Sequence, residues 1–105
     1  LDLASRRSAH GLSIKLATCG GLHCARQIDS IARAAGMATM VGCINEPALS
    51  IAAGLGLALS SPNVRYGDLD GHFDLVGDPT RAGFFFEDGW LVASDVPGLG
   101  CTVEL

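Results

Sequence analysis

Charge is scarce in this chain, and its sign is wrong for a nucleic-acid partner. Only 17% of the 105 residues are charged, the net charge is −4, and the seven basic residues are scattered apart from the pair Arg6-Arg7. No basic stripe exists for a phosphate backbone to follow, which argues against nucleic acid as a partner. No apolar run reaches the roughly eighteen residues of a membrane span, and the first residues lack the basic, apolar and small-residue order of a signal peptide, so no membrane partner is expected. Close-spaced cysteine pairs are missing too. Cys19, Cys24, Cys43 and Cys101 lie apart in apolar segments, a pattern that fits reduced, buried thiols of a cytoplasmic protein better than a disulfide framework. Cys19 and Cys24 with His23 lack the second ligand pair of a zinc site. His10, His23 and His72 have no partner at ligand or triad spacing and read as structural or exposed. Neither Gly20-Gly21 nor Gly54-Leu55-Gly56 completes a dinucleotide fingerprint. Aromatics make up 6%, so Phe84, Phe85, Phe86 and Trp90 read as the core of a β layer, given the acidic balance, and not as a base-stacking platform.

Apolar residues, by contrast, are abundant: 49% of the chain, with a mean hydropathy of +0.36. That is more than a small free-standing domain needs. The expectation is a single domain at most, part of whose surface belongs inside something larger. The start at Leu1-Asp2-Leu3, without methionine, reads as that of a fragment.

One unit repeats along the first part of the chain. Residues 1–10 read as a helix closed by Gly11, the kind of residue found just past helix ends. Alternation predicts a strand over 12–17. Leu22, Ala25, Ile28, Ala32 and Ala35 then recur at helical spacing, with Arg26, Gln27, Asp29 and Arg33 mostly on other faces, until Gly36. A strand over 38–43 is apolar enough to be covered on both sides. Pro47 opens a second helix over 48–59 that is apolar nearly all round and so more deeply buried, with Gly54 and Gly56 allowing a close backbone neighbour. A third strand follows over 64–70. Strand starts near 12, 38 and 64 give the βα alternation of a parallel sheet with right-handed crossovers. Beyond Gly71 the period stops. A hairpin over 84–92 turns at Asp88-Gly89, and a last strand covers 101–105.

Four polar residues stand out against this pattern. Ser13, Lys15 and Ala17 share a strand face, so Lys15 either lines a cavity, where desolvation makes a lysine a better base, or is an exposed edge-strand lysine that discourages aggregation. Asp68 and Asp70 also share a face. They can converge on a cation, lead as solvated residues into an Asp-Gly turn, or hold a metal, for which two oxygen donors are few. Glu46 orients a site, hydrogen-bonds Lys15, or satisfies the dipole in the first turn of the second helix.

Taken together, Ile14-Lys15-Leu16 with Cys19-Gly20-Gly21-Leu22, Met40-Val41-Gly42-Cys43 with Glu46, Asn63-Val64-Arg65-Tyr66 with Asp68-Leu69-Asp70-Gly71, and Pro97-Gly98-Leu99-Gly100 resemble the C-terminal part of the enolase superfamily. Within it they are most similar to the muconate lactonizing subgroup and its L-Ala-D/L-Glu dipeptide epimerases. The resemblance implies an α/β fold: residues 1–71 would be the last βα units of a (β/α)7β TIM-like barrel, and residues 72–105 a β-rich return segment of the α+β capping domain. It implies an isomerase that takes the proton α to a carboxylate and returns it on the other face through an enediolate, with Mg2+ as cofactor. Lys15 would be one acid/base, and Asp68 and Asp70, with Glu46, would bind a small dipeptide substrate. Thr18 stands where many relatives carry a further lysine. The family's metal ligands and second catalytic lysine belong to earlier strands, so no metal ligand is expected in these residues, which alone would be inactive. The whole enzyme would be a homo-oligomer. Muconate cycloisomerase, N-acyl amino acid racemase and a non-catalytic α/β binding module are the alternatives.

Overall fold

A computed structural model describes residues 1–104. A short helix α1 (Asp2–Arg6) leads to strand β1 (Gly11–Lys15), a single helical turn α2 (Leu16–Cys19), helix α3 (Gly21–Ala34), strand β2 (Ala38–Gly42), helix α4 (Ala48–Ser60) and strand β3 (Val64–Asp68). The three strands form a parallel sheet in the order β1-β2-β3. This is the architecture expected of consecutive βα units, with α3 and α4 as the crossovers.

Alternation decides which side chains meet the helices. Ile14 and Val41 pair across β1 and β2 and are buried, together with Leu16, Ala25, Ile51, Leu55 and Leu69. Ser13, Lys15, Met40, Gly42, Tyr66 and Asp68 occupy the opposite face by the same alternation and register. That face has no second layer among the described residues, and Tyr66 on it is 68% exposed.

Several boundaries differ from the sequence expectation. α1 is closed by Arg7, just past its end and in the left-handed region with φ 49°, and Gly11 instead opens β1, where a Cβ would crowd the Ala38 carbonyl oxygen at 2.9 Å. β1 stops at Lys15, so Ala17 lies in α2 and does not share the Lys15 face; Gly20, at φ 98°, makes the break before α3. Pro47 is the N-cap of α4 and not its first residue. α4 is the more buried helix, as expected, but Gly54 admits the Leu69 side chain and not a backbone, and Gly56 has no neighbour within 4 Å. Asp29, assigned by spacing to an outer face of α3, is 6% exposed. Its carboxylate accepts hydrogen bonds from Thr39 Oγ1 (2.6 Å), Ser61 Oγ (2.6 Å) and Asn63 Nδ2 (3.1 Å), tying α3 to the entries of β2 and β3.

After β3 the chain makes a 3-10 turn (Gly71–Asp74), then β4 (Thr80–Arg81), the hairpin β5 (Phe84–Glu87) and β6 (Trp90–Ala93), and β7 (Thr102–Val103), which pairs antiparallel with β4. Asp88 and Gly89 both have positive φ, 49° and 86°, the geometry of a two-residue type I′ turn. The last strand is thus shorter than expected, and residue 105 lies outside the described residues. The aromatic cluster is also a correction: Phe84 is buried, but Phe85, Phe86 and Trp90 are 50%, 60% and 74% exposed. The hairpin packs its start on the core and has no layer over its outer face among the described residues.

Candidate functional site

The carboxyl ends of the three strands carry the polar residues singled out above. Lys15 is the last residue of β1 and pairs with Gly42, which pairs with Asp68, the last residue of β3. At the usual spacing of neighbouring strands, Lys15 and Asp68 are about 10 Å apart at their Cα atoms. Gly42 leaves the gap between them open. A Cβ there would meet Lys15 Cε at 3.5 Å and Cγ at 3.6 Å, so the half-buried stem of Lys15 lies across β2. Thr18 does not join it; its hydroxyl donates to the Lys15 carbonyl oxygen at 3.2 Å.

Asp70 reaches the same place by another route. The ladder ends at Asp68, so Asp70 is not a strand residue; it is the N-cap of the 3-10 turn. Asp68 and Asp70 are exposed while Leu69 between them is buried. The Cys43 thiol completes the cluster: Cys43 Sγ and one oxygen of each aspartate lie within 4.8 Å of one another. The thiol donates to Asp70 Oδ1 at 3.7 Å, and the Gly71 amide donates to Sγ at 3.3 Å. Burial pushes the Cys43 thiol up; the Gly71 and Asp70 amides oppose this, and the charges of Asp68 and Asp70 add to it. The net rise keeps sulfur protonated and able to donate.

This cluster does not suit Mg2+. Mg2+ is a hard ion that takes an all-oxygen shell, and here a buried neutral thiol, a soft donor, stands within 4.8 Å of the two carboxylate oxygens. A primary ammonium fits better. Carboxylate oxygens less than 5 Å apart can both accept from one N–H donor group placed between them at charge-assisted distances of about 2.7–2.9 Å.

Glu46 follows β2 and is 6% exposed, and its Oε2 has no hydrogen-bond partner among the described residues. No bond joins it to Lys15, and it precedes the N-cap of α4, so the first-turn reading does not hold. Asp78, between the 3-10 turn and β4, takes that part: its Oδ2 accepts the Ala48 amide at 2.7 Å. His72 leans on Phe73 and Phe84, with ring centroids 4.1 and 5.1 Å away. All four cysteines are free, and no helix among the described residues is long and apolar enough to cross a membrane. Cys43 and Asp78 were not expected near the site. Their contacts bridge residues far apart in sequence, and a single cysteine in an apolar run carries no signal of its own.

The L-Lys-D/L-Arg epimerase of Methylococcus capsulatus is 50% identical over 99 residues, covering 93% of this chain and 28% of that protein. The crystal structure of a dipeptide epimerase from Methylococcus capsulatus, complexed with Mg and the dipeptide L-Arg-D-Lys, superposes with a TM-score of 0.91 at 48% identity, over 95% of this chain and 28% of that one. A substrate-liganded L-Ala-D/L-Glu epimerase from Bacillus subtilis gives a TM-score of 0.89 at 32% identity, over 95% of this chain and 28% of that one. The chain thus spans little more than a quarter of the length of these relatives. The sequence model of the enolase C-terminal domain-like family matches residues 1–104, and with the parallel sheet and the ordered strand ends described above, the chain belongs to that family.

Proposed function

We propose that the protein carrying this chain is a dipeptide epimerase, and that these residues supply one acid/base and the subsite for the substrate's ammonium group. The observation that carries this reading is the row Lys15, Gly42, Asp68 across three strand ends. In an extended dipeptide the terminal nitrogen lies about 5 Å from the α-carbon of the second residue, from one Cα–Cα step plus part of an N–Cα bond. A substrate whose ammonium sits between Asp68 and Asp70 therefore brings that α-carbon over Gly42, within the sweep of Lys15. Lys15 takes the α-proton from one enantiomer and delivers one in forming it from the other. Glu46 stands beside these strand ends at the exit of β2, with its unpartnered Oε2 buried beneath the surface. Gly42 keeps the space clear, and the covered face below holds the three strand ends at fixed spacing.

The carbanion formed also needs its negative charge met. In the enolase superfamily Mg2+ supplies that electrostatic stabilisation, and the crystal structure of the Methylococcus capsulatus relative holds Mg. The donor set of Cys43, Asp68 and Asp70 does not fit that ion, so its ligands are proposed to lie outside residues 1–104. Cationic dipeptides are the favoured substrates, because the relative at 50% identity is an L-Lys-D/L-Arg epimerase. A panel of L-Lys-L-Arg, L-Ala-L-Glu and hydrophobic dipeptides would rank them.

In the full-length protein, Lys15→Met is expected to lower epimerisation, and α-proton exchange from one substrate enantiomer, by about 10²- to 10⁴-fold, the usual contribution of a general acid or base. The readout is NMR exchange in D2O from each enantiomer, with circular dichroism as the check on folding. A rate within about tenfold of the unsubstituted enzyme would remove Lys15 from the reaction.

A further inference from the structure

The Asp68 and Asp70 carboxylates are held in very different ways. Asp68 ends a strand, so its backbone is fixed by the ladder to Gly42. Asp70 lies beyond the last ladder pair, in a turn whose own amide–carbonyl bond, Phe73 N–H to Asp70 O at 2.9 Å, is made within the turn and not to β2. What joins this turn to β2 is Cys43. The thiol is 7% exposed, donates to Asp70 Oδ1 and accepts from Gly71 N–H, so a single side chain holds both the carboxylate and the backbone that follows it. The turn is also pressed close, since a Cβ on Gly71 would stand 3.2 Å from Cys43 Sγ.

We propose that Cys43 is the positioning residue of the ammonium subsite: its thiol holds Asp70 facing Asp68 so that the two carboxylates share one primary ammonium. This rests on the dipeptide reading above and extends it to a residue that bears no charge. Because burial keeps the thiol protonated, its hydrogen is free for Asp70. Alanine would remove the donor to Asp70 and leave the Gly71 amide, which is buried, without an acceptor. Serine would keep both roles with a shorter reach.

The ammonium is bound away from the α-carbon, so weakening its subsite acts on substrate and transition state alike and appears in KM. In the full-length enzyme, Cys43→Ala is expected to raise KM for free dipeptides about 3- to 10-fold with kcat within about twofold, the size of one ordinary hydrogen bond, because a thiol is a weak donor. KM for the Nα-acetylated dipeptide, which has no α-ammonium, should not move. Cys43→Ser should recover most of the loss. If the alanine variant does not fold, Cys43→Val, which refills the space without a donor, is read in its place with the same expectation. Equal changes for free and acetylated substrates, a fall in kcat alone, or no change would overturn the proposal. Asp68→Asn and Asp70→Asn separate the two levels. If they fail to split free from acetylated dipeptides, the ammonium subsite itself is wrong; if they split them and the Cys43 variant does not, only the role of Cys43 is wrong.

Discussion

Gly71 shows how closely the turn after β3 is seated on the exit of β2. A methyl group at this position would overlap the carbonyl oxygen of Ile44 and lie 2.9 Å from its carbonyl carbon. These are backbone atoms of the segment that leaves β2, two residues past its end, and they cannot yield as a flexible side chain can. Gly71→Ala therefore has to lift the turn, lengthen the Gly71 N–H to Cys43 Sγ bond and carry Asp70 away from Asp68. The expected cost is about 1–3 kcal/mol, as for other overpacked interior positions. Thermal unfolding of the full-length protein would register it as a lowered Tm, together with weaker binding of free dipeptides. An unchanged Tm would mean that the turn is not pressed on Ile44 in solution. Gly42 differs, because a Cβ there meets its neighbours at 3.4 Å or more and fits without overlap. Its absence matters for the space above β2, through which Lys15 reaches.

Helix α4 carries no acidic residue in its first turn and no side-chain cap of its own. Its orphan Ala48 amide is satisfied instead by Asp78, thirty residues away, whose other oxygen accepts the Thr80 amide at 2.9 Å. The Ala48 bond is the first cause holding the Asp78 carboxyl below its usual 3.8; the Thr80 amide and hydroxyl and the His72 charge act the same way, against a smaller desolvation effect. Asp29 shifts in the same direction. Burial alone would raise it, and the hydrogen bonds from Ser61, Thr39 and Asn63, with the charge of Arg33, outweigh that. A carboxyl whose folded value is depressed contributes stability that is present above its unfolded value near 3.8 and is lost as pH falls through the lower folded value. Acid unfolding should therefore set in below about pH 4. Asp78→Ala should flatten that dependence and speed hydrogen exchange at the Ala48 amide and across residues 72–104, while exchange in β2 stays slow. Equal speeding in both regions would contradict the clamp. These contacts also mark what the sequence could reveal at this scale. The βα alternation was legible because burial follows the period, and it runs on past the ladder at Leu16 and Leu69, which remain buried although the strands have ended. That is why β1 and β3 read as too long. Lys15 and Asp68 were legible because strand position is a local property. Asp29, Asp78 and Cys43 were not, because a polar residue in a helical pattern, or a thiol in an apolar run, takes its role from partners that only the fold brings near. The two-residue strand β4 leaves no period to detect.

For the molecule as a whole, the accessible surface is 6837 Å2, whereas a compact monomer of 10.8 kDa would expose about 5,500 Å2. The radius of gyration is 14.3 Å, against about 13 Å for a compact domain of this length. The excess is not spread evenly. β1 and β3 are both edges of the described sheet, each with a row of backbone groups free to pair. α3 and α4 keep Ile14, Leu16 and Val41 covered, so the apolar surface left open lies elsewhere: Tyr66 on the bare sheet face, and Phe73, Phe86 and Trp90 in the 3-10 turn and hairpin after β3, at 61%, 60% and 74% exposure. About 400 Å2 of such surface is worth about 10 kcal/mol at roughly 25 cal/mol per Å2, as much as the whole stability of a small domain. A polypeptide of these 105 residues alone is therefore expected to self-associate through its sheet edges and its aromatic hairpin. It should not turn over dipeptide, and added Mg2+ should not change that, because Cys43, Asp68 and Asp70 do not make a site for the ion. Size-exclusion chromatography with light scattering, and a dipeptide assay with and without Mg2+, test the two halves separately. A compact monomer would mean that the open edges are tolerated, and turnover by the polypeptide alone would mean that Lys15 works without the strands that complete the barrel in the relatives.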